Sequence, residues 1–123
     1  MPELISTPTR IPVPGGKVIN EHVGAVTTPD ANLSSSVSVA HMVAPGGWAE
    51  PYQTPEFDEV TLVLSGSVLV DHDGGRLEVG AGQSVITRGG ERIRYSCGPD
   101  GAAYVAVCLP AFSPDLVHRE EES

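Results

Sequence analysis

Short runs of alternating apolar and polar residues recur along the chain, and each ends in a turn rich in glycine or proline. The runs are KVINEHVGAV (17–26), SSVSVAHMV (35–43), EVTLVLSGSVLVDH (59–72), GRLEVG (75–80), QSVITR (83–88), RIRYSC (92–97) and AYVAVCL (103–109). Between them lie Pro29-Asp30, Pro45-Gly46-Gly47, Asp73-Gly74-Gly75, Gly80-Ala81-Gly82, Gly89-Gly90 and Gly98-Pro99-Asp100-Gly101. In such turns glycine supplies positive φ and proline presets its own φ. Strands this short and this closely spaced predict an all-β sandwich or barrel with little helix. A Pro-rich segment, 1–16, precedes the first run, and Pro110 and Pro114 break the last stretch before a polar tail, 113–123.

Period-two alternation assigns faces within the runs. Glu59, Thr61 and Val63 share one face of the longest run, with Val60, Leu62 and Leu64 on the other. His41 shares a face with Val37, Val39 and Val43, and Tyr95 shares one with Ile93. A carboxylate therefore opens a strand that continues largely apolar on both sides.

The length, 123 residues, predicts one domain with a single core. A net charge of −9 leaves no basic stripe to neutralise phosphates, so neither nucleic acid nor an anionic membrane surface is expected as a partner. The start of the chain lacks a basic segment followed by an apolar one, and no run approaches the ~18 apolar residues of a membrane span, so a cytoplasmic protein is expected. Cys97 and Cys108 are read as lying on two arms of a hairpin turning at Gly98–Gly101. That places them roughly 20 Å apart at ~3.3 Å per residue, as two free buried thiols.

The glycines and Glu59 fall in a longer pattern. GWAEPYQTPEFDEVTLVLSG and GQSVITRGGERI resemble the two motifs of the cupins: Gly47, Glu59 and Gly66 are in register in the first, Gly82 and Gly90 in the second. Gln53, Pro55 and Ile93 occupy the positions where the family has histidines, and Arg88 the place of a proline. The resemblance implies a single-domain, RmlC-like double-stranded β-helix, a jelly-roll barrel, and a homodimer whose N-terminal strand is the exchanged edge. With only Glu59 left of the usual ligand set, it implies no metal cofactor. The cupin domain of ethanolamine-utilisation proteins of the EutQ type is similar around DEVTLVLSG. A metal-free nucleoside dehydratase of pacidamycin biosynthesis is similar around ERIRY and Pro110 to Phe112, and has Lys and Tyr where Lys17 and Tyr95 stand, but His where Trp48 stands.

On this frame Glu59 points into the barrel mouth, either as a proton-transfer group raised in pKa by burial or as the partner of Arg88, Arg92 or Lys17. Tyr95 is a proton donor or a barrel plug with its hydroxyl satisfied by Glu59. His41 is a core residue, a base, or with Gln53 and Glu59 a residual divalent-metal site. Lys17 completes the catalytic candidates. Trp48, Tyr52, Gln53, Thr61 and Arg88 are the candidates for holding a small-molecule ligand in the barrel. His22, His72 and His118 are read as surface residues, and Glu120 to Glu122 as a solvated end. The chemistry expected is metal-independent acid/base work on a carbonyl-bearing metabolite by a lyase, isomerase or cyclase. The alternatives are a non-catalytic ligand-binding or accessory cupin, and a metal-dependent cupin with atypical ligands.

Overall fold

The computed structural model describes residues 2–121. Its architecture rests on two long strands, β4 (Asp58–His72) and β7 (Arg94–Leu109), antiparallel from Asp58↔Leu109 to Asp71↔Arg94. Around the first half of β4 and the second half of β7, one layer assembles in the order β1-β2-β3-β7-β4-β6. Here β1 is Thr9–Ile11, β2 Val18–Val23, β3 Ser38–Ala44 and β6 Ser84–Thr87. The other halves build the second layer: β5 (Gly75–Gly80) pairs with β4, and the segment 49–53 reaches β7 through Ala49↔Ser96 and the residue just before β7 through Gln53↔Ile93. The result is the expected all-β jelly-roll barrel.

Between the layers sits a valine-rich core, with Val63, Val68 and Val70 of β4 against Val79, Val85, Ile93, Tyr95 and Tyr104. The apolar second face of β4 is explained by its surroundings. Leu62 and Leu64 point outward and are exposed, together with Val43, Ile86 and Leu109 on neighbouring strands.

Where β4 and β7 change layers, their register jumps from Val68↔Cys97 to Gly66↔Ala102, so residues 98–101 loop out of the ladder. This corrects the hairpin expected at Gly98–Gly101. Gly, Pro and Asp mark a bend as readily as a reversal, and here the chain bends and continues in one strand. Cys97 and Cys108 accordingly lie on the same strand, both buried and both free.

The expected polar tail is also corrected in part. Ser113 caps a short helix, α1 (Pro114–Val117), by accepting from the Asp115 amide at 3.3 Å. Val117 packs with Phe57 and Cys108, while Phe112 meets Phe57 at 5.8 Å between ring centroids. Beyond the helix the chain lies along residues 52–56: Thr54 N donates to His118 O, Glu56 N to Leu116 O and Glu120 N to Tyr52 O. Glu120, expected in solvent, receives a bidentate contact from Arg92 at 2.6 and 2.9 Å. Glu122 lies outside the described residues, and Glu121 is exposed. At the other end, β1 seats on β2 of the same chain. Among the described residues no helix is long and apolar enough to cross a membrane.

Gly66 and Gly101 have φ of 73° and 75°, and a Cβ on either would press into a backbone oxygen, Gly101 O or Ala44 O respectively. Alanine at Gly66 combines left-handed strain with that clash. It is expected to cost roughly 3 kcal/mol or more in a denaturant titration, and a loss below about 1 kcal/mol would show that the corner tolerates a side chain.

Candidate active site

Between the layers and under the chain ends lies a cavity of about 710 Å³. β2, β3, β4 and β7 present alternate residues to it. Lys17, Ile19 and Glu21 come from β2 and the turn before it, Ser38, Ala40 and Met42 from β3, Glu59 from β4, and Tyr95, Tyr104, Ala106 and Cys108 from β7. The segment 13–15, Trp48, Phe112 and Arg119 also line it.

Glu59 opens β4, and its remaining accessible surface faces this cavity. One carboxylate oxygen accepts from Thr61 Oγ1 at 3.1 Å, and the other lies 3.8 Å from the Cys108 thiol. Among the described residues no cation comes within 4.0 Å of Glu59. Arg88 is exposed, Arg92 is held by Glu120, and Lys17 is engaged elsewhere. Desolvation therefore dominates and, with the neighbouring Glu50 charge, pushes the Glu59 pKa up to about 7 against the lowering contributions of Thr61, Lys17 and Cys108.

Lys17 Nζ stands 4.0 Å from the Trp48 ring centroid and 5.4 Å from that of Tyr104. Such cation–π contacts favour the charged amine by about 0.5–2 kcal/mol, less than the several kcal/mol that burying an ammonium costs. Burial accordingly lowers the Lys17 pKa, although Glu50, Glu59 and Cys97 oppose the shift; Arg119 adds to it. Glu50 shows the same balance from the acid side. Its side chain is largely buried and meets Arg119 Nη2 at 3.4 Å, yet desolvation still raises its pKa.

Tyr95 points inward with Ile93, as alternation requires, but its hydroxyl bonds Thr87 Oγ1 at 2.8 Å rather than Glu59. Burial first, then the Glu59 charge, raises its pKa far enough that it stays a phenol, able to donate a hydrogen bond to a substrate oxygen but not to ionise readily. Tyr104 is shifted the same way by burial and the Glu50 charge. Gln53 is buried, with its Oε1 accepting from Arg119 Nη2 at 3.1 Å.

Several expected site residues are elsewhere. His41 belongs to the outward face of β3, because Ser38, Ala40 and Met42 are the residues that reach the cavity, so neither the His41–Glu59 couple nor the His41, Gln53, Glu59 metal set is assembled. Arg88 is exposed at the turn after β6, and its backbone amide donates to Glu91. Tyr52 lies under the Arg92 guanidinium, 3.8 Å from it, outside the cavity lining. Thr61 is fully buried and acts on Glu59 rather than on a ligand. His72 and His118 sit at the surface, the latter paired with Glu56.

Glu50, Arg119 and Tyr104 escaped the sequence reading. Glu50 could have been found, since it lies two residues after Trp48 on the same extended segment. Arg119 had no such signal, because its partner Gln53 is 66 positions away.

The family's divalent metal does not fit these residues. The histidine positions hold Gln53, Pro55 and Ile93, and the described residues gather no group of three or more His, Cys, Asp or Glu that could hold an ion.

Residues 40–108 match the sequence profile of the cupin domain. A protein of Myxococcus xanthus (strain DK1622) named endoribonuclease YbeY is 46% identical over 111 residues, which cover 89% of this chain. The chain spans only 36% of that relative's length. Among solved structures, the polyketide cyclase RemF of Streptomyces resistomycificus is similar at a TM-score of 0.74 and 20% identity, covering 100% of this chain and 87% of that one. A putative ethanolamine utilization protein Q of Salmonella typhimurium gives 0.64 and 22%, covering 78% and 71% of the two chains. At these identities the structural likeness establishes the fold, and together with the profile match over most of the barrel it shows that the chain belongs to the cupin family.

Proposed function

We propose that this cupin is a small-molecule enzyme that moves protons at a carbonyl-bearing metabolite, as a lyase, isomerase or cyclase, with side-chain acid and base groups in place of a metal. The observation that carries this reading is a cavity carboxylate with no cation partner among the described residues. A structural ion pair would have kept Glu59 ionised and inert, whereas a group near 7 populates both proton donor and acceptor at neutral pH. Its carboxylate takes the proton α to the carbonyl, and the Tyr95 hydroxyl, turning from Thr87, donates a hydrogen bond to the oxygen as charge develops there. A cyclase among the fold's neighbours supports the idea that the scaffold admits such chemistry.

The endoribonuclease named for the Myxococcus relative is not carried over. Most of that protein lies beyond the match, and a chain of net charge −9 with carboxylates in its cavity repels a phosphodiester. The second reading is a ligand-binding cupin without turnover, favoured by Gln53 and Tyr95 already having partners within the protein.

A panel of aldehydes and ketones in D2O, followed by proton NMR, separates the two. Exchange at the α position is expected to fall about 10²- to 10⁴-fold in Glu59→Gln. Saturable binding without Glu59-dependent exchange would establish the binding reading instead.

The carboxyl carbon of Glu59 should titrate in an NMR experiment with a midpoint near 7, and a midpoint near 4.5 would remove the basis of the proposal. The base-dependent rate should fall as pH drops through that midpoint.

Stability follows the same proton with the opposite sense. The folded state holds it up to about 7 while the unfolded chain releases it near 4.5, so Glu59 costs stability progressively between those values. Relative to wild type, Glu59→Gln should therefore gain on the order of 3 kcal/mol between pH 4.5 and 8 in denaturant titrations. A pH-independent difference would contradict the shift.

A further inference from the structure

The chain has seven basic residues, and six are arginines; Lys17 is its single lysine. Lysine ordinarily keeps its ammonium in water, and exposed positions are where a protein spends it. Here the arginines at 76, 88 and 92 stand at the surface, while the one primary amine in a side chain is turned into the cavity. It lies against the faces of Trp48 and Tyr104. Among the described residues no carboxylate lies within 4.0 Å of it, so Lys17 is not the cationic half of an ion pair. Glu50, the nearest candidate in charge, is instead met by Arg119.

We infer that Lys17 is a nucleophile, forming an imine with the carbonyl carbon of an aldehyde or ketone bound in the cavity. This rests on the proposed function and specifies what holds its substrate. Chemistry favours lysine over arginine for this place, because a guanidinium stays protonated and cannot attack a carbonyl, whereas an amine moved out of water can lose its proton. The shift of Lys17 is downward, in the direction the role needs. The groups around it that bear on its charge are Glu50, Glu59, Cys97 and Arg119.

The step balances without a redox partner. The Nζ lone pair bonds to the carbonyl carbon, the C=O π pair moves to oxygen, and the oxygen takes the proton that nitrogen gives up. The nitrogen pair then expels the hydroxyl, which leaves as water after receiving a proton from the Glu59 carboxylic acid. The products are a protonated imine, water and the Glu59 carboxylate. That carboxylate is the base the proposed reaction requires, and the imine is a stronger electron sink for the α carbon than the carbonyl it replaced. Glu59 and Lys17 border the same cavity, so a carbonyl bound there can meet both.

Propanal with sodium cyanoborohydride at neutral pH tests the step, because it fixes an imine as a propylamine. Peptide mapping by mass spectrometry then separates Lys17 from the chain's terminal amine. One propyl group is expected on Lys17, added faster in the folded protein than in the same chain in guanidinium chloride, since a lowered pKa leaves more of the amine neutral. Lys17→Arg, with its fold checked by circular dichroism, should lose that label and keep only the terminal one. Label confined to the terminus, or reaching Lys17 only after unfolding, would overturn the inference, whether or not the arginine variant folds. The same propanal in D2O tells this failure from failure of the proposed function. Glu59-dependent α exchange that is unchanged in Lys17→Arg removes the imine and leaves the proton transfer standing. Label on Lys17 without Glu59-dependent exchange supports the imine and removes the proposed function.

Discussion

The pairing of β4 with β7 is the constraint on which the other features depend. The two strands are hydrogen-bonded to each other on both sides of the corner where they cross from one layer to the other, so each neighbour inherits its place from them. Period-two alternation along this ladder then fixes the interior. Glu59, Thr61 and Val63 face inward from one strand, and Tyr95, Tyr104, Ala106 and Cys108 from the other. The glycines at the corner are needed because two backbones meet there more closely than a Cβ allows. The ladder thereby brings a carboxylate and a phenol to one cavity, where the amine of Lys17 joins them.

Inside that space burial governs the electrostatics. Glu50, Glu59, Lys17 and Arg119 carry charges of both signs, yet the shifts of the two carboxyls and the amine all run toward their neutral forms. Attraction among them is present and is outweighed by the water each has lost. Away from the cavity the balance reverses: guanidinium partners hold Asp71, beside Arg76 and Arg94, and Glu120, beside Arg92, below the ordinary carboxylate range. Those contacts fasten hairpin and tail, while the cavity keeps groups that can exchange protons.

Much of this was legible in the sequence, for identifiable reasons. The spacing of Gly47, Glu59, Gly66, Gly82 and Gly90 is set by backbone turns and survives the loss of ligands, so it gave the barrel and the inward direction of Glu59 and Tyr95. Alternation alone did not say which face of β3 is inside. The usual guide, apolar in and polar out, failed because the outer surface of this layer is itself apolar at Val43, Leu62, Leu64 and Ile86. His41, flanked by valines, therefore looked like a core residue and is not one. Gly98 to Gly101 misled because bends and reversals draw on the same residues. Arg119 was hidden by distance along the chain, and the inward turn of Tyr104 depended on which face of β7 was the inner one.

The docking of residues 114–120 along 52–56 has a consequence for how the protein comes into being. No strand of the barrel lies within this segment, so the β4–β7 ladder can form before Arg119 reaches Glu50 and Gln53. Until it does, Glu50 and Gln53 lack their guanidinium partner. Scaffold and this polar contact are thus separate events in folding, the second made by a segment that follows the last strand of the barrel.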